Sequence, residues 1–190
     1  MPPVETRNFA SLREYQTDMK RYKNKYRTDS VRLTGWDYRT PAWYFITICT
    51  RNRHHFFGEI QNKIMGLSFI GNRAHLNWEA IPDHFDHTTL DVFIIMPNHT
   101  HGLIGITKHP ATSKIKQSRE FGPLQSGSIS SIMQAYKASV TRWCRDEGYH
   151  EFGWQDKFYD HIVRNEKEFN RIRNYIINNP SNWHDDMYYE

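Results

Sequence analysis

Apolar and β-branched residues are concentrated in a few short runs along the chain. Aromatic and branched side chains fill 43–50, and comparable runs occupy 89–96 and 99–106, which a Pro-Asn pair separates. Such runs predict buried strands, and the Pro-Asn pair predicts the turn of an antiparallel hairpin. A shorter run over 157–164 predicts a fourth strand.

Apolar residues spaced three and four apart predict three helices. The first covers 69–81 and stops at a proline, the second covers 128–148 and has a well-marked apolar stripe, and the third covers 165–179. Asn165 and Glu168 have the spacing of a capping box at the start of the third helix. The polar segment 107–127 predicts a surface loop.

The resulting order is β-α-β-β-α-β-α. This order predicts an α+β, ferredoxin-like split βαβ fold, with a central antiparallel sheet and one added C-terminal helix. The domain is expected over residues 36–190. Residues 1–35 carry few aliphatic side chains and many charges, which predicts a basic N-terminal extension that is helical or partly disordered on its own.

Composition narrows the class of protein. No apolar run approaches the roughly 18 residues that span a bilayer, and the first 20 residues lack the apolar centre of a signal peptide. Cys49 and Cys144 are the two cysteines, each in an apolar setting, which excludes a disulfide framework and a zinc knuckle. We expect a cytoplasmic protein that makes no contact with a membrane.

Two histidines, His99 and His101, flank a single residue on the third predicted strand. Side chains at i and i+2 of a strand point to the same face, with Cα atoms about 6.6 Å apart, whereas Thr100 points to the other face. Two imidazoles on one face can converge on one metal ion. Ordinary half-buried histidines are an equal alternative in a chain with 11 histidines.

Several motifs together resemble those of the REP-associated tyrosine transposases, relatives of the single-strand insertion-sequence transposases in the HUH superfamily. These motifs are MPNHTHGLI, WQDKFYDHIVRNE and NYIINNPSNW, preceded by WDYRTPAWYFITICTRNR. The resemblance covers about residues 34–183. It departs from the family at Thr100, where a hydrophobic residue is usual, although a β-branched threonine suits a strand.

The resemblance implies an enzyme, a metal-dependent single-stranded DNA endonuclease and strand transferase that cleaves beside hairpins of REP-like palindromes. Tyr175 matches the family's nucleophile, which forms a 5′-phosphotyrosine intermediate. His99 and His101 match the residues that bind the divalent cation, and all three are the expected catalytic residues. The protein is expected to act as a monomer or a homodimer.

Helical spacing supports this set of residues independently. Tyr175 lies beside the apolar stripe of the last helix, and Asn179, at i+4, shares its face. We therefore predict Asn179 as a third metal ligand with His99 and His101, although Pro180 biases it away from helical angles. Imidazole ligands favour Mn²⁺ over Mg²⁺, whereas cellular abundance favours Mg²⁺, so either cation fits.

Cations alternate with tyrosines in KRYKNKYR, and the first strand ends in TRNR. This combination suits phosphate contact and base stacking, although a solvated basic helix or tail is the simpler explanation for a chain of net charge +4. The predicted DNA-binding residues are Lys20, Arg21, Lys23, Lys25, Arg27, Arg51 and Arg53.

Other residues and functions compete with these assignments. Tyr136 lies in an apolar stripe and is better explained as core. Tyr159 and His161 either line the cleft or form a sheet-face pair, and capping or surface roles suit Asp160 and Glu168 better than a place beside a metal. The alternative function is a non-catalytic hairpin-binding or regulatory protein on the same fold. A third possibility is a hydrolase that uses water as its nucleophile.

Overall fold

A computed structural model divides the chain into two units, Met1–Arg32 and Leu33–Glu190. It describes Leu33, residues 35–110 and residues 125–189, and in the first unit only the backbone of two short strands. These strands, β1 (Arg21–Tyr22) and β2 (Tyr26–Arg27), pair antiparallel. Their four residues are therefore extended and not helical.

Among its described residues, the second unit contains one large sheet, a small hairpin and four α-helices. None of the helices that the structure describes has the length and apolar character needed to cross a membrane. Short 3-10 segments follow the first strand of the large sheet, at Arg51–Arg53, and the last helix, at Pro180–Asp185. The elements in chain order are β3 (Ala42–Cys49), β4 (Gly58–Gln61), β5 (Ile64–Leu67), α1 (Phe69–Glu79), α2 (Ile81–His84), β6 (Thr88–Met96), β7 (His99–Ile106), α3 (Ile129–Asp146), β8 (Tyr159–Val163), α4 (Glu166–Asn178) and the 3-10 segment Pro180–Asp185.

The large sheet has the strand order β6-β7-β3-β8, and every neighbouring pair is antiparallel. This is the order of the ferredoxin-like split βαβ arrangement, with α4 added after the last strand. The predicted fold class is confirmed, and each predicted strand lies within two residues of its observed bounds. The two central strands are β7 and β3, so residues on them are the best shielded from solvent.

Alternation along β3 separates the two faces of the sheet. Tyr44, Ile46 and Ile48 pack in the larger core with the buried residues of α1 and α3. Phe45 faces the other way and packs with Leu103 of β7 and the apolar stripe of α4. The site described below lies on this second face, at the end of the sheet where β7 begins.

The helix starts follow capping chemistry. The Ser68, Ser128 and Asn165 side chains each accept a hydrogen bond from a backbone N–H in the first turn of α1, α3 and α4. The predicted N-cap role of Asn165 is confirmed, whereas the second hydrogen bond of a capping box has a different partner. The Glu168 side chain accepts from the N–H of Arg164 instead of the N-cap N–H.

One predicted helix end is wrong. The first helix ends at Glu79, and a separate short helix, α2, carries Pro82 in its first turn, where a proline is tolerated because that N–H has no helical partner. The predicted end of the last helix is correct to within one residue, because α4 ends at Asn178 with Asn179 as its cap, and a 3-10 segment begins at Pro180. In α1, Phe69 and Leu76 face solvent, outside the core that the apolar spacing predicted.

Gly102 lies between the site and the core, where it leaves room for a tryptophan. A Cβ atom at this position would lie 2.3 Å from Cζ2 of the fully buried Trp78. We expect Gly102→Ala to lower the free energy of unfolding by about 1–3 kcal/mol through overpacking. Urea denaturation measures this change, and Gly66→Ala is the control, since its nearest neighbour would be 3.6 Å away. Equal losses in the two variants would contradict the packing argument.

Candidate active site

His99 and His101 begin β7, the central strand paired with both β6 and β3. Both side chains are almost completely shielded from solvent, and their ring centroids are 4.4 Å apart. Thr100 faces the opposite core, where it lies beside Tyr136. The strand therefore holds the two imidazoles side by side, as the i and i+2 spacing predicted.

The hydrogen bonds of Asn98 determine the protonation of His99. The Asn98 amide nitrogen donates to the carbonyl oxygen of Tyr188 at 2.8 Å, and a carbonyl oxygen can only accept. The amide oxygen therefore faces His99 Nδ1, 2.9 Å away, and Nδ1 must carry the proton. It follows that His99 Nε2 presents a lone pair, and this buried atom has no hydrogen-bond partner among the described residues.

His101 is oriented in a similar way from the neighbouring strand. Its Nδ1 lies 2.8 Å from Oγ1 of Thr47, the residue paired with it on β3. Its Nε2 lies 3.2 Å from the Tyr175 hydroxyl oxygen. Both imidazoles are thus held at Nδ1 by side chains outside the site, which is the usual support for a metal-binding histidine.

Burial favours the neutral form of both histidines. Burial lowers the pKa of His99 well below its ordinary value, and the nearby His101 and Arg53 act in the same direction. Burial also lowers the pKa of His101 to about 4, although the charge of Asp186 opposes this shift. Neutral imidazoles are the form that binds metal ions.

Helix α4 brings Tyr175 and Asn179 to the same place. The Tyr175 ring packs edge-on against Phe45 at 6.2 Å between centroids, beside the apolar stripe of the helix. Asn179 keeps helical angles, with φ −57° and ψ −43°, in spite of Pro180. The two side chains therefore share one face, and that face points toward the histidines.

A carboxylate that the sequence did not predict completes this cluster. Asp186 accepts hydrogen bonds from the Tyr175 hydroxyl at 3.1 Å and from the Asn179 amide nitrogen at 2.6 Å, both at Oδ2. Its other oxygen accepts from the backbone N–H of Tyr188 at 2.7 Å. The segment after the last helix thus folds back onto the site.

The hydroxyl of Tyr175 is far from ionising on its own. Burial raises its pKa above the ordinary value for tyrosine, and the negative charge of Asp186 raises the pKa further. A phenolate at this position requires a positive charge nearby. The site therefore places a buried phenolic hydroxyl beside side chains of the types that can bind a cation.

The donor atoms present fit a divalent cation. The ligand atoms of His99, His101 and Asp186 all lie within 4.8 Å of one another. Within the described part of the chain, two buried acceptors of the cluster, His99 Nε2 and Asn179 Oδ1, have no hydrogen-bond partner. Nitrogen and oxygen donors in this number leave coordination positions open for a substrate.

Three of the competing residues lie elsewhere, whereas Tyr159 packs against Phe45 on the same face of the sheet as Tyr175. Tyr136 is buried in the larger core, where its hydroxyl donates to the carbonyl oxygen of Ala74. His161 pairs with Glu168 at 2.9 Å, and Glu168 also caps the start of α4. Neither member of this pair belongs to the cluster around His99.

The predicted DNA-binding residues are only partly described. Lys20, Lys23 and Lys25 lie outside the described residues, and the structure gives only the backbone of Arg21 and Arg27. In the second unit, a guanidinium nitrogen of Arg51 donates to the carbonyl oxygen of Glu151. Arg53 lies over the Tyr188 ring, with 5.5 Å between its Cζ atom and the ring centroid, beside the active-site cluster.

Three supporting residues were missed in the sequence. Asn98 stands directly before the histidine pair, and an amide at that place signals an orienting partner. Thr47 lies opposite His101, a pairing that only the strand register reveals. Asp186 lies in HDDMYY, beyond the last predicted helix, where no periodic pattern indicates which acidic residue turns inward.

Comparison with known proteins defines the class of the molecule. The solved structure of a REP-associated tyrosine transposase bound to a REP hairpin is similar to this chain, with a TM-score of 0.56 over 82% of this chain and 74% of that one. At 18% identity, this likeness concerns the fold. The chain therefore has the fold of a REP-associated tyrosine transposase.

Sequence comparison identifies a family. An uncharacterized protein of Haemophilus influenzae (strain ATCC 51907 / DSM 11121 / KW20 / Rd) is 40% identical over 167 residues, which is 84% of this chain and 92% of that protein. The chain belongs to the same family as this Haemophilus protein. No protein-family model matches the sequence.

Proposed function

We propose that the protein is a metal-dependent, single-stranded DNA endonuclease and strand transferase that acts through Tyr175. One observation carries this proposal. The Tyr175 hydroxyl oxygen lies 3.2 Å from His101 Nε2, within the cluster where the buried Nε2 of His99 has no partner among the described residues. A nucleophile and a cation site are thus built from the same few side chains.

The proposed chemical step is a transesterification. Tyr175 Oη forms a bond to the phosphorus of the scissile phosphodiester, and the bond from phosphorus to the 3′ oxygen breaks. The product is a 5′-phosphotyrosine and a free 3′ hydroxyl, which takes its proton from water. The phenolic proton leaves toward Asp186 Oδ2, the carboxylate oxygen that already accepts a hydrogen bond from the hydroxyl.

The phosphotyrosine linkage conserves the energy of the ester. A phenolate is a good leaving group, so a 3′ hydroxyl can attack the linkage and rejoin the strand. Transfer of a strand requires this reversibility, and hydrolysis by water does not provide it. A tyrosine nucleophile therefore favours strand transfer over simple nuclease activity.

The raised pKa of Tyr175 explains the dependence on metal. His99, His101 and Asn179 would hold the cation, Mg²⁺ or Mn²⁺, through two imidazole nitrogens and one amide oxygen. When bound there, it supplies positive charge that favours the phenolate and polarises the scissile phosphate. The chain's own part is to keep both imidazoles neutral, oriented and shielded from water.

The proposed substrate is single-stranded DNA folded into an imperfect hairpin. The structurally similar transposase is bound to a REP hairpin, and the segment KRYKNKYR combines cations with aromatic rings. Lysine and arginine side chains contact phosphates, and tyrosine rings stack on unpaired bases. Lys20, Arg21, Lys23, Lys25, Arg27, Arg51 and Arg53 remain the proposed DNA-binding residues.

A covalent-adduct assay tests this function. The protein is incubated with Mn²⁺ and single-stranded oligonucleotides that carry a hairpin and a labelled 5′ or 3′ flank. We expect a band on a denaturing gel that contains both protein and the fragment with the 5′ phosphate, and none when EDTA is present. Cleaved DNA without an adduct would favour a hydrolase that uses water.

The salt dependence of hairpin binding tests the basic segment separately. Because phosphate contacts release counterions, the affinity should fall steeply as salt rises. Replacement of Lys20, Lys23 and Lys25 by glutamine should lower the slope of log affinity against log salt by about 2 to 3. Fluorescence anisotropy measures both quantities for hairpin and duplex DNA.

The matched control removes three cations elsewhere, by the exposed substitutions Lys63→Gln, Lys157→Gln and Lys167→Gln. This control should leave the slope close to that of the unchanged protein. An equal drop in both triple variants would show that net charge, and not the basic segment, accounts for binding. Equal affinity for duplex and hairpin DNA would contradict the proposed substrate.

A non-catalytic hairpin-binding protein is the second candidate. The same basic segment favours it, since binding needs only cations and aromatic rings. It has no need of a buried, neutral histidine pair that is hydrogen-bonded from outside and directed at a tyrosine. Hairpin binding without any adduct or cleavage, at every metal concentration, would favour this candidate.

A further inference from the structure

Asp186 is a carboxylate that lies in the same cluster as His99 and His101. Its carboxylate contacts both residues that α4 contributes, Tyr175 and Asn179, and its oxygens lie close to the histidine nitrogens. Among the described residues it is the carboxylate grouped with this pair of imidazoles.

The charge of a bound divalent cation would need to be balanced by its ligands, and this requirement gives Asp186 a role. Two neutral imidazoles and one amide offer a divalent cation no negative charge, and burial of an uncompensated charge is costly. Hard divalent cations also prefer carboxylate oxygens over nitrogen ligands. A carboxylate beside the imidazoles supplies both the charge and the donor type that they lack.

The segment around Asp186 is anchored so that the carboxylate stays in place. The Asp186 N–H donates to the carbonyl oxygen of Trp183, and the Tyr188 carbonyl oxygen accepts from Asn98. The Tyr188 ring lies against His99, with 4.6 Å between centroids. Asn98 therefore connects His99 and the segment that carries Asp186, and one amide orients both.

The three hydrogen bonds that the Asp186 carboxylate accepts leave part of its acceptor capacity unused. Two carboxylate oxygens offer about four acceptor directions. Tyr175 and Asn179 use Oδ2, and the N–H of Tyr188 uses Oδ1. An acceptor direction remains for a cation even with every observed hydrogen bond kept.

We propose that Asp186 is the anionic ligand of the cation held by His99 and His101, so that cation binding fastens the segment Pro180–Asp185 and the residues after it to the sheet. In this arrangement Asn179 has two roles, since its amide nitrogen holds the Asp186 carboxylate while its unpartnered oxygen faces the cluster. This inference rests on the metal dependence of the proposed function and adds a residue from outside the histidine strand and the tyrosine helix.

Calorimetric titration of the full chain with Mn²⁺ tests the inference without reference to activity. We expect Asp186→Asn, which keeps the size and most hydrogen-bonding capacity of the side chain, to weaken Mn²⁺ binding by at least about tenfold. Asp186→Glu, which keeps the charge, should recover part of the loss. Asp185→Asn is the matched control, because it removes the same charge one residue away from an exposed position.

Hydrogen exchange of the same proteins provides the second measurement. Mn²⁺ should slow exchange of the backbone amides in residues 183–189 of the unchanged chain, and this protection should be absent in Asp186→Asn. Thermal unfolding in EDTA shows whether the variant is folded before metal is added. Equal Mn²⁺ affinity in Asp186→Asn and the unchanged protein, or an equal loss in Asp185→Asn, would overturn the inference.

The two proposals fail in different ways. If the unchanged protein binds Mn²⁺ and forms an adduct while Asp186→Asn binds Mn²⁺ normally, the role of Asp186 is wrong and the proposed function stands. If Mn²⁺ binds through Asp186 but no hairpin oligonucleotide gives an adduct, the ligand assignment stands and the proposed function fails. If the unchanged protein binds no Mn²⁺, both fail.

Discussion

Tyr175→Phe should abolish both the covalent adduct and strand cleavage, with a loss of at least about 10³-fold in the cleavage rate. The substitution removes one oxygen atom and keeps the ring that packs edge-on against Phe45. Asp186 retains its hydrogen bonds from Asn179 and from the backbone of Tyr188. Folding and hairpin affinity should therefore survive, which thermal unfolding and fluorescence anisotropy will show.

Tyr159→Phe is the matched control. Its ring also packs edge-on against Phe45, at the same centroid distance of 6.2 Å, but from β8 instead of α4. This variant should keep full activity. Added Mn²⁺ should not restore activity to Tyr175→Phe. Cleavage that survives in Tyr175→Phe, or that disappears equally in both variants, would show that Tyr175 is not the nucleophile.

His99→Ala should abolish cleavage for a different reason, the loss of the cation. The substitution removes the buried Nε2 that has no partner among the described residues, and it leaves the Asn98 amide oxygen without its donor. We expect calorimetric Mn²⁺ binding to weaken beyond detection in the double variant with His101→Ala. In His99→Ala alone, excess Mn²⁺ should restore part of the activity, because His101 and the oxygen donors remain.

His87→Ala controls for the cost of losing a buried imidazole. His87 is also buried, but its ring nitrogen contacts the carbonyl oxygen of Gly127, away from the cluster. It should lower stability without changing Mn²⁺ affinity. Unchanged Mn²⁺ binding in the double variant, His99→Ala with His101→Ala, would show that the two histidines do not form the metal site.

The regular part of the site was predictable because it depends on local periodicity. A strand places His99 and His101 on one face, and a helix places Tyr175 and Asn179 on one face, whatever surrounds them. The residue spacing therefore predicted which side chains share a face, whereas the meeting of Tyr175 with the histidines was implied by the resemblance to the REP-associated tyrosine transposases. Asn179 also shows the limit of local preference, since packing keeps it helical despite Pro180.

The rest of the site depends on contacts between residues that are far apart in the chain. Asp186 reaches the site because the Asn98 amide holds the Tyr188 carbonyl oxygen, 90 residues away. Nothing in the sequence around Asn98 or Tyr188 indicates that these two residues are in contact. The pairing of Thr47 with His101 likewise depends on the register between β3 and β7, which apolar patterning does not specify to the residue.

The hairpin of β4 and β5 was missed for a local reason. Its turn places Asn62 and Lys63 at positive φ, 52° and 65°, as a two-residue hairpin turn requires. Lysine is unusual at the second of these positions, where glycine is the common signal. The two strands have four residues each, too few for alternation alone to reveal them.

Mass spectrometry of the trapped adduct is the most direct test of the central claim. After incubation with Mn²⁺ and a hairpin oligonucleotide, the protein is digested, the DNA is trimmed to a nucleotide, and the modified peptide is sequenced. We predict a 5′-phosphate-linked nucleotide on Tyr175 and none on other tyrosines. A nucleotide on Tyr136 or Tyr159, or an adduct that persists in Tyr175→Phe, would contradict it.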